Sequence, residues 1–350
     1  ATVPVMGFIQ GLLDAVLAIG AAILWCLTAL LDFVLWLGPA LWFFVTWLPA
    51  RLLGWSDEKL PVGQTASRGF DYIRDGADTF LDGFSDWTEA FIDLLLALMM
   101  RPPGVNWLQG RGFEPYFGAW NETTHPFVIV ALVTALAYAL HRKLGIAALV
   151  AVGFMFVLDQ GYWEETAESL SLVLSACVVC MAIGVPVGIA AAHRPRLYAW
   201  MRPVLDLMQT LPTFVYLIPA IVFFGIGMVP GLVATVIFVI PAPIRLTQLG
   251  IVSTPQSLLE AADAFGATPR QKLWKVELPS ALPQIMTGLN QTIMLSLSMV
   301  VIAALVGADG LGVPVVRALN TVDTAKGFES GLVIVIVAII LDRLLRVDRK

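Results

Sequence analysis

The sequence predicts an all-α, polytopic helical membrane protein. Of 350 residues, 58% are hydrophobic and 13% charged, whereas soluble domains carry about 25% charged residues. Mean hydropathy is +0.83, and the apolar residues gather into blocks near the roughly 20 residues a spanning helix needs. Lys and Arg collect in alternate loops, the bias that orients helices in a bilayer.

The N-terminal segment 1–55 holds apolar runs at 8–31 and 33–53, which cross once or twice. Its tryptophans Trp25, Trp36, Trp42, Trp47 and Trp55 suit membrane interfaces. No Lys or Arg precedes Arg51, so no basic n-region marks a signal peptide. Residues 56–125 are the most polar. Within them Phe70, Ile73, Ala77, Phe80, Phe84, Trp87, Phe91, Leu94 and Leu98 recur at steps of three and four, predicting an amphipathic helix over 70–98 with that stripe buried, either in the membrane interface or against the protein's own outer surface. Asp71, Asp75, Asp78, Asp82, Asp86, Glu89 and Asp93 form its acidic face. By loop parity this helix lies outside the cytoplasm.

Residues 126–160 read as a short helical hairpin, 126–140 and 144–158, which either crosses or dips into the membrane. The core, 161–350, holds spans expected at 167–192, 204–224, 232–249, 284–306 and 331–345. Pro212 and Pro219 can kink one span, Pro241 and Pro243 another. Gly184 and Gly188 suit close helix packing. The glycine-rich run from Gly307 to Gly312 lacks a following Lys and reads as a turn.

One set of loops carries Arg142 and Lys143; Arg194, Arg196 and Arg202; Arg245, Arg270, Lys272 and Lys275; and Arg343, Arg346, Arg349 and Lys350. The opposite loops, 159–167, 226–231 and 307–330, carry Arg317 and Lys326. The first set is therefore cytoplasmic, and with it the C-terminus.

Catalytic classes find little support. Three cysteines do not make a disulfide scaffold, and Cys177 and Cys180 lie in an apolar run. His125, His141 and His193 lack metal-ligand spacing. No nucleotide-binding or hydrolase motif occurs. A net charge of −5 without a basic tract does not suggest nucleic acid.

The most distinctive stretch is Glu260-Ala261-Ala262-Asp263-Ala264-Phe265-Gly266, followed by Val276-Glu277-Leu278-Pro279. It is polar, lies between apolar segments and falls in the cytoplasmic loop 250–283. Thr254 is placed to cap a helix beginning at Pro255. Gly266 suits the left-handed position past a helix end. Thr268, Pro269 and Gln271 form a second start with a capping box. Leu278-Pro279 should end that second helix.

This pattern resembles the EAA loop of binding-protein-dependent ABC importer permeases, with Val276 in place of the more usual Ile. The resemblance implies that Glu260, Ala261, Ala262, Asp263, Gly266, Leu278 and Pro279 belong to a coupling loop that docks on an ATPase. From about 165 to 346 the chain is similar to permeases of glycine betaine/proline betaine importers. The similarity is carried by Asp206–Tyr216, Phe224–Gly227, Pro230-Gly231, Ile244–Thr247, Leu249–Ile251, Phe265–Gln271, Asn290–Thr292, Leu297–Ile302 and Ala338–Leu344.

The resemblance implies a type I ABC importer transmembrane domain in the bacterial cytoplasmic (inner) membrane. Its substrate would be glycine betaine, proline betaine, choline, trimethylamine N-oxide or a similar methylated amine. It further implies a second copy of the chain, two cytoplasmic ATPases that bind ATP and Mg, and a separate extracytoplasmic binding protein. The chain itself would hold no cofactor, bind no nucleic acid and catalyse no covalent reaction.

Polar and aromatic residues within spans supply the candidates for a substrate pathway: Gln209, Thr210, Thr213, Phe214 and Tyr216 on one, Asn290, Gln291, Thr292, Ser296, Ser298 and Met299 on another. Such groups also serve as glue between helices. The rival class is an ion-coupled secondary transporter of small osmolytes. It calls for inverted repeats and intramembrane carboxylates; no repeat is evident, and Asp206 and Asp342 lie near span ends.

Overall fold

The computed structural model describes residues 62–100 and 125–345, and the regular elements among them are helices. The expected runs at 8–31 and 33–53 lie outside the described residues. The chain divides into two units, Ala1–Gly83 and Phe84–Lys350. In the first, the described residues belong to helix α1 (Val62–Met100), and Ala77 and Leu81 are buried.

The second unit holds the rest of α1 and the helices that follow. Here the residues packed against protein lie beside the apolar stripe. Thr88 and Ile92 are buried, whereas Phe84, Trp87 and Leu94 are exposed. Ile92 packs with Ala176 and Leu232. In a bilayer the largest apolar side chains face lipid as readily as protein, and smaller ones fill helix contacts.

Helices α2 (His125–His141) and α3 (Leu144–Asp159) meet at Arg142, whose φ of 51° lets the chain reverse tightly. At 17 and 16 residues they are about 25 Å long, short of a hydrocarbon core about 30 Å thick. Helix α4 (Trp163–His193) has 31 residues and reaches about 46 Å, so its ends extend past such a core.

The expected span at 204–224 is two helices, α5 (Pro195–Thr210) and α6 (Leu217–Phe224), the latter entered through a 3₁₀ turn at Thr213–Tyr216. The two arms bend by 106°. Leu211 precedes Pro212 and is held extended, with ψ of 138°, because the proline ring excludes the helical region there. Residues 204–210 thus complete α5, in which Trp200, Val204 and Leu207 are exposed.

Helices α7 (Met228–Val239) and α8 (Pro241–Val252) run as one 25-residue apolar span. The segment 253–277 leads into α11 (Leu278–Ala303). A 3₁₀ turn at Ala304–Val306 and the turn around Gly307 and Gly310, both at positive φ, lead to α12 (Gly312–Thr321) and α13 (Thr324–Leu345). Four helical runs among the described residues are long and apolar enough to cross a membrane, or five with the bent pair counted as one.

The main core joins α2, α3, α4, α11 and α13 through residues such as Val150, Phe154, Val173, Ile293, Val337 and Ile340. On its other side α4 meets α8 closely. A Cβ on Gly184 would lie 2.8 Å from the Pro243 ring, and one on Gly188 2.7 Å from Ile244 O. These glycines bring two backbones together, as small residues do in membrane interiors.

Candidate functional site: the polar loop and the faces above it

The loop between α8 and α11 is built by local chemistry. Helix α9 (Gln256–Ala264) follows Pro255, which occupies the capping position. Thr254 does not cap it: its hydroxyl is buried and unpartnered. At the other end Gly266 has φ of 70°. The N–H of Ala267 donates to Ala262 O and that of Gly266 to Asp263 O, each at 3.0 Å. This paired closure satisfies carbonyls the helix end leaves open, and glycine takes the left-handed position without a Cβ penalty.

Thr268 starts α10 (Pro269–Lys272) with a capping box: its N–H donates to Gln271 Oε1 at 2.9 Å, and its hydroxyl accepts from the Gln271 N–H at 3.4 Å. Lys272 then pairs with Asp263 at 2.6 Å across the elbow, tying the two arms together.

Leu278-Pro279 does not end the second arm. The chain passes from α10 through a π-helical segment, Leu273–Glu277, directly into α11. The Leu278 N–H donates to Leu273 O, five residues back. Pro279 has no N–H and its ring would crowd the carbonyl four residues earlier; the wider π turn accommodates it.

Glu260, Ala261 and Asp263 are exposed, Ala262 is half-buried, and Phe265 is 92% exposed at the elbow. Leu258 and Trp274 are exposed as well. Large apolar side chains left exposed on a polar loop are candidates for contact with a partner. Neither Phe265 nor Trp274 was singled out from sequence as a contact residue. Their signal was available as bulky apolar residues beside the glycine elbow and beside Lys275.

The pathway candidates separate by helix face. On α11, Thr292, Ser296 and Met299 turn inward and are buried. Thr292 donates to Gly288 O. Met299 and Tyr216 share a small core with Leu217, Ala220 and Ala234. Gln291 and Ser298 are exposed, and with Thr287 and Met294 they form a stripe at helical spacing. Asn290 donates to Asp342 Oδ1 at 2.7 Å and joins α11 to α13. Around the bend Gln209, Thr210 and Phe214 are exposed and Thr213 is half-buried. Asp206 pairs with Arg245 at 2.6 Å, linking α5 to α8.

At the opposite end of α4 from the loop, Glu89, Asp93, Glu168 and Asp309 line a cleft of about 320 Å³ with Phe224 and Met228. Among the described residues, no group of His, Cys, Asp and Glu is arranged to hold a metal. Cys177 and Cys180 are free and buried.

Residues 184–347 match the family described as "Binding-protein-dependent transport system inner membrane component". The glycine betaine transport system permease protein OpuAB of Bacillus subtilis is 42% identical over 286 residues, 82% of this chain and 93% of that protein. The chain belongs to this family of transport permeases. The glycine betaine/carnitine permease GbuB of Listeria monocytogenes is 48% identical over 64% of this chain and 81% of its own length. The glycine betaine/proline betaine permease ProW of Escherichia coli is 50% identical over 63% of this chain and 62% of that protein.

The permease is thus a multi-pass inner-membrane subunit of an ABC importer, a transport protein rather than an enzyme. Membership implies a partner ATPase and a substrate-binding protein, and it decides against the ion-coupled secondary transporter.

Proposed function

We propose that this chain forms the translocation pathway for glycine betaine, proline betaine, choline, trimethylamine N-oxide or a similar small methylated amine. An ATPase docked on the loop from Thr254 to Pro279 drives it. The observation that carries the docking reading is the elbow itself: two short capped helices, closed by Gly266 and the Asp263–Lys272 pair, present Phe265 almost fully exposed. Glu260, Ala261 and Ala262 lie on the first arm, and Leu278 and Pro279 carry the second into α11.

On this reading the loop and the C-terminus are cytoplasmic, as the Lys/Arg distribution indicates. Two copies of the chain enclose the pathway, two ATPases supply ATP and Mg, and a separate binding protein delivers substrate outside. Segments 1–55, 56–125 and 126–160 are accessory to a core at 161–350. The exposed stripe Thr287, Gln291, Met294 and Ser298, with Gln209, Thr210 and Phe214, faces the pathway. The buried Tyr216, Ser296 and Met299 hold those faces in position.

The deciding experiment is ATP-dependent uptake of labelled glycine betaine into proteoliposomes containing the permease, its ATPase and its binding protein. Gly266→Val forces a β-branched residue to positive φ and should release the ATPase and abolish uptake. Normal uptake by that variant overturns the docking assignment. Failure of every methylated amine to compete for uptake overturns the substrate class.

A further inference from the structure

Helix α4 ends at the coupling loop, and its last residue reaches into it. His193 Nε2 lies 2.8 Å from Glu277 Oε2, and Nδ1 lies 2.9 Å from Ile189 O. Glu277 is the last residue of the π-helical segment and is buried, in a loop whose other carboxylates are exposed. A carbonyl oxygen only accepts, so Nδ1 carries a proton.

Among the described residues, no other ion pair joins this loop to a spanning helix. Lys272–Asp263 stays within the loop. On the apolar side, Leu273 and Leu278 and, from α4, Val185, Ile189 and Ala192 all pack against one small core of Ile251, Ala281 and Ile285. Apolar contact is non-directional and lets the arm slide, whereas a charge-assisted hydrogen bond fixes register. The π segment matters here, because its extra residue sets the angle at which Glu277 meets α4.

We propose that His193 and Glu277 form the positioning link that passes displacement of the coupling loop to α4. Helix α4 is one 31-residue helix that continues through Pro186, and near its far end Glu168 lines the acidic cleft. A push on the loop thereby reaches the opposite end of the protein through a single helix. The Asp263–Lys272 pair makes the loop one body; the His193–Glu277 pair attaches that body to α4. This inference rests on the reading of the loop as the ATPase dock.

The test is substrate transported per ATP hydrolysed, in proteoliposomes holding the assembled complex and glycine betaine. A merely structural role lowers the amount of active complex and leaves this ratio unchanged. Glu277→Ala and His193→Ala should each lower the ratio about fivefold with the ATPase still bound, and the double variant should be no worse, the mark of residues acting through one contact. The exchange His193→Glu with Glu277→His should recover most of the ratio. Wild-type ratios in the single variants, or losses that multiply in the double, overturn the link.

If the alanine variants do not assemble, Glu277→Gln serves, because it keeps the shape and a hydrogen bond to the neutral ring. A drop of about twofold is expected for loss of the charge-assisted part alone, and an unchanged ratio overturns the proposal. Gly266→Val separates the two readings. If it releases the ATPase while Glu277→Ala keeps the wild-type ratio, the link alone fails; if it leaves the ATPase bound and uptake intact, the docking reading fails first.

Discussion

The hydroxyl of Tyr216 donates to the carbonyl of Met208 at 2.6 Å, across the bend at Leu211-Pro212. Met208 lies in the last turn of α5, where carbonyls have no partner within the helix. One side chain thus satisfies an orphan acceptor and fixes the 106° angle between the arms. Tyr216→Phe leaves that acceptor with no donor while preserving the ring in its core. It should cost about 1–3 kcal/mol, read as a lower unfolding temperature of the purified complex, with the substrate concentration for half-maximal uptake unchanged. A shift in that concentration without a change in stability would return Tyr216 to the pathway.

The close approach of α4 and α8 gives a second outcome. A Cβ at Gly188 would sit 2.7 Å from Ile244 O and from Thr247 Cβ, and a backbone carbonyl cannot yield as a flexible side chain does. Gly188→Val should destabilise by about 1–3 kcal/mol or more, as overpacking does. Gly331 is the control: it lies within α13, and an added Cβ meets nothing within 4 Å. Gly331→Ala should be neutral or stabilise by up to about 1 kcal/mol. Thermal unfolding of the two variants checks both; equal effects would refute the packing account.

The packed face of α1 makes a third. Ile92 is 2% exposed and Trp87 60% exposed. Ile92→Ala should cost about 2–5 kcal/mol, the range for a buried aliphatic truncation. Asp86→Asn, on an exposed position, should change stability by less than about 0.5 kcal/mol. Denaturation of the detergent-extracted complex distinguishes them. Insensitivity at Ile92 would mean that α1 does not pack there.

These outcomes show where the sequence was readable. The elbow was, because glycine at positive φ and the Thr268–Gln271 box depend on residues within one turn of each other. Close packing at Gly184 and Gly188 was readable as a spacing, but its partner α8 was not. The π segment was hidden, since Leu-Pro ordinarily stops a helix and only the register of Leu273 through Leu278 shows it continuing. The stripe on α1 was readable as a face, but the period of a helix does not say whether protein or lipid covers it. The polar residues of α11 divide between inside and outside within a few positions: Gln291 is exposed and Thr292 buried. That phase comes from the packing of α4, α8 and α13 around α11. His193 drew attention only as a possible metal ligand, because its partner Glu277 lies 84 residues away.

Sidedness supplies the last prediction. On the proposed reading, the cations of the loops around 142, 194–202, 245–275 and 343–350 put the loop 253–277 on the cytoplasmic side. A single cysteine at Ser257, which is exposed at the start of α9, should then resist an impermeant thiol reagent added outside intact cells and react once the membrane is opened. The companion position belongs on the turn between α12 and α13. Asp323 is a poor choice there, because its carboxylate accepts the Lys326 N–H at 3.1 Å and caps α13, a contact whose loss costs about 0.5–2 kcal/mol. Asn320, in the last turn of α12 just before it, is exposed and among the described residues makes no side-chain hydrogen bond. Asn320→Cys should therefore label from outside without disturbing the helix, in a background lacking Cys26, Cys177 and Cys180. Labelling of the Ser257→Cys variant in intact cells would invert the topology and take the ATPase dock to the wrong face of the membrane.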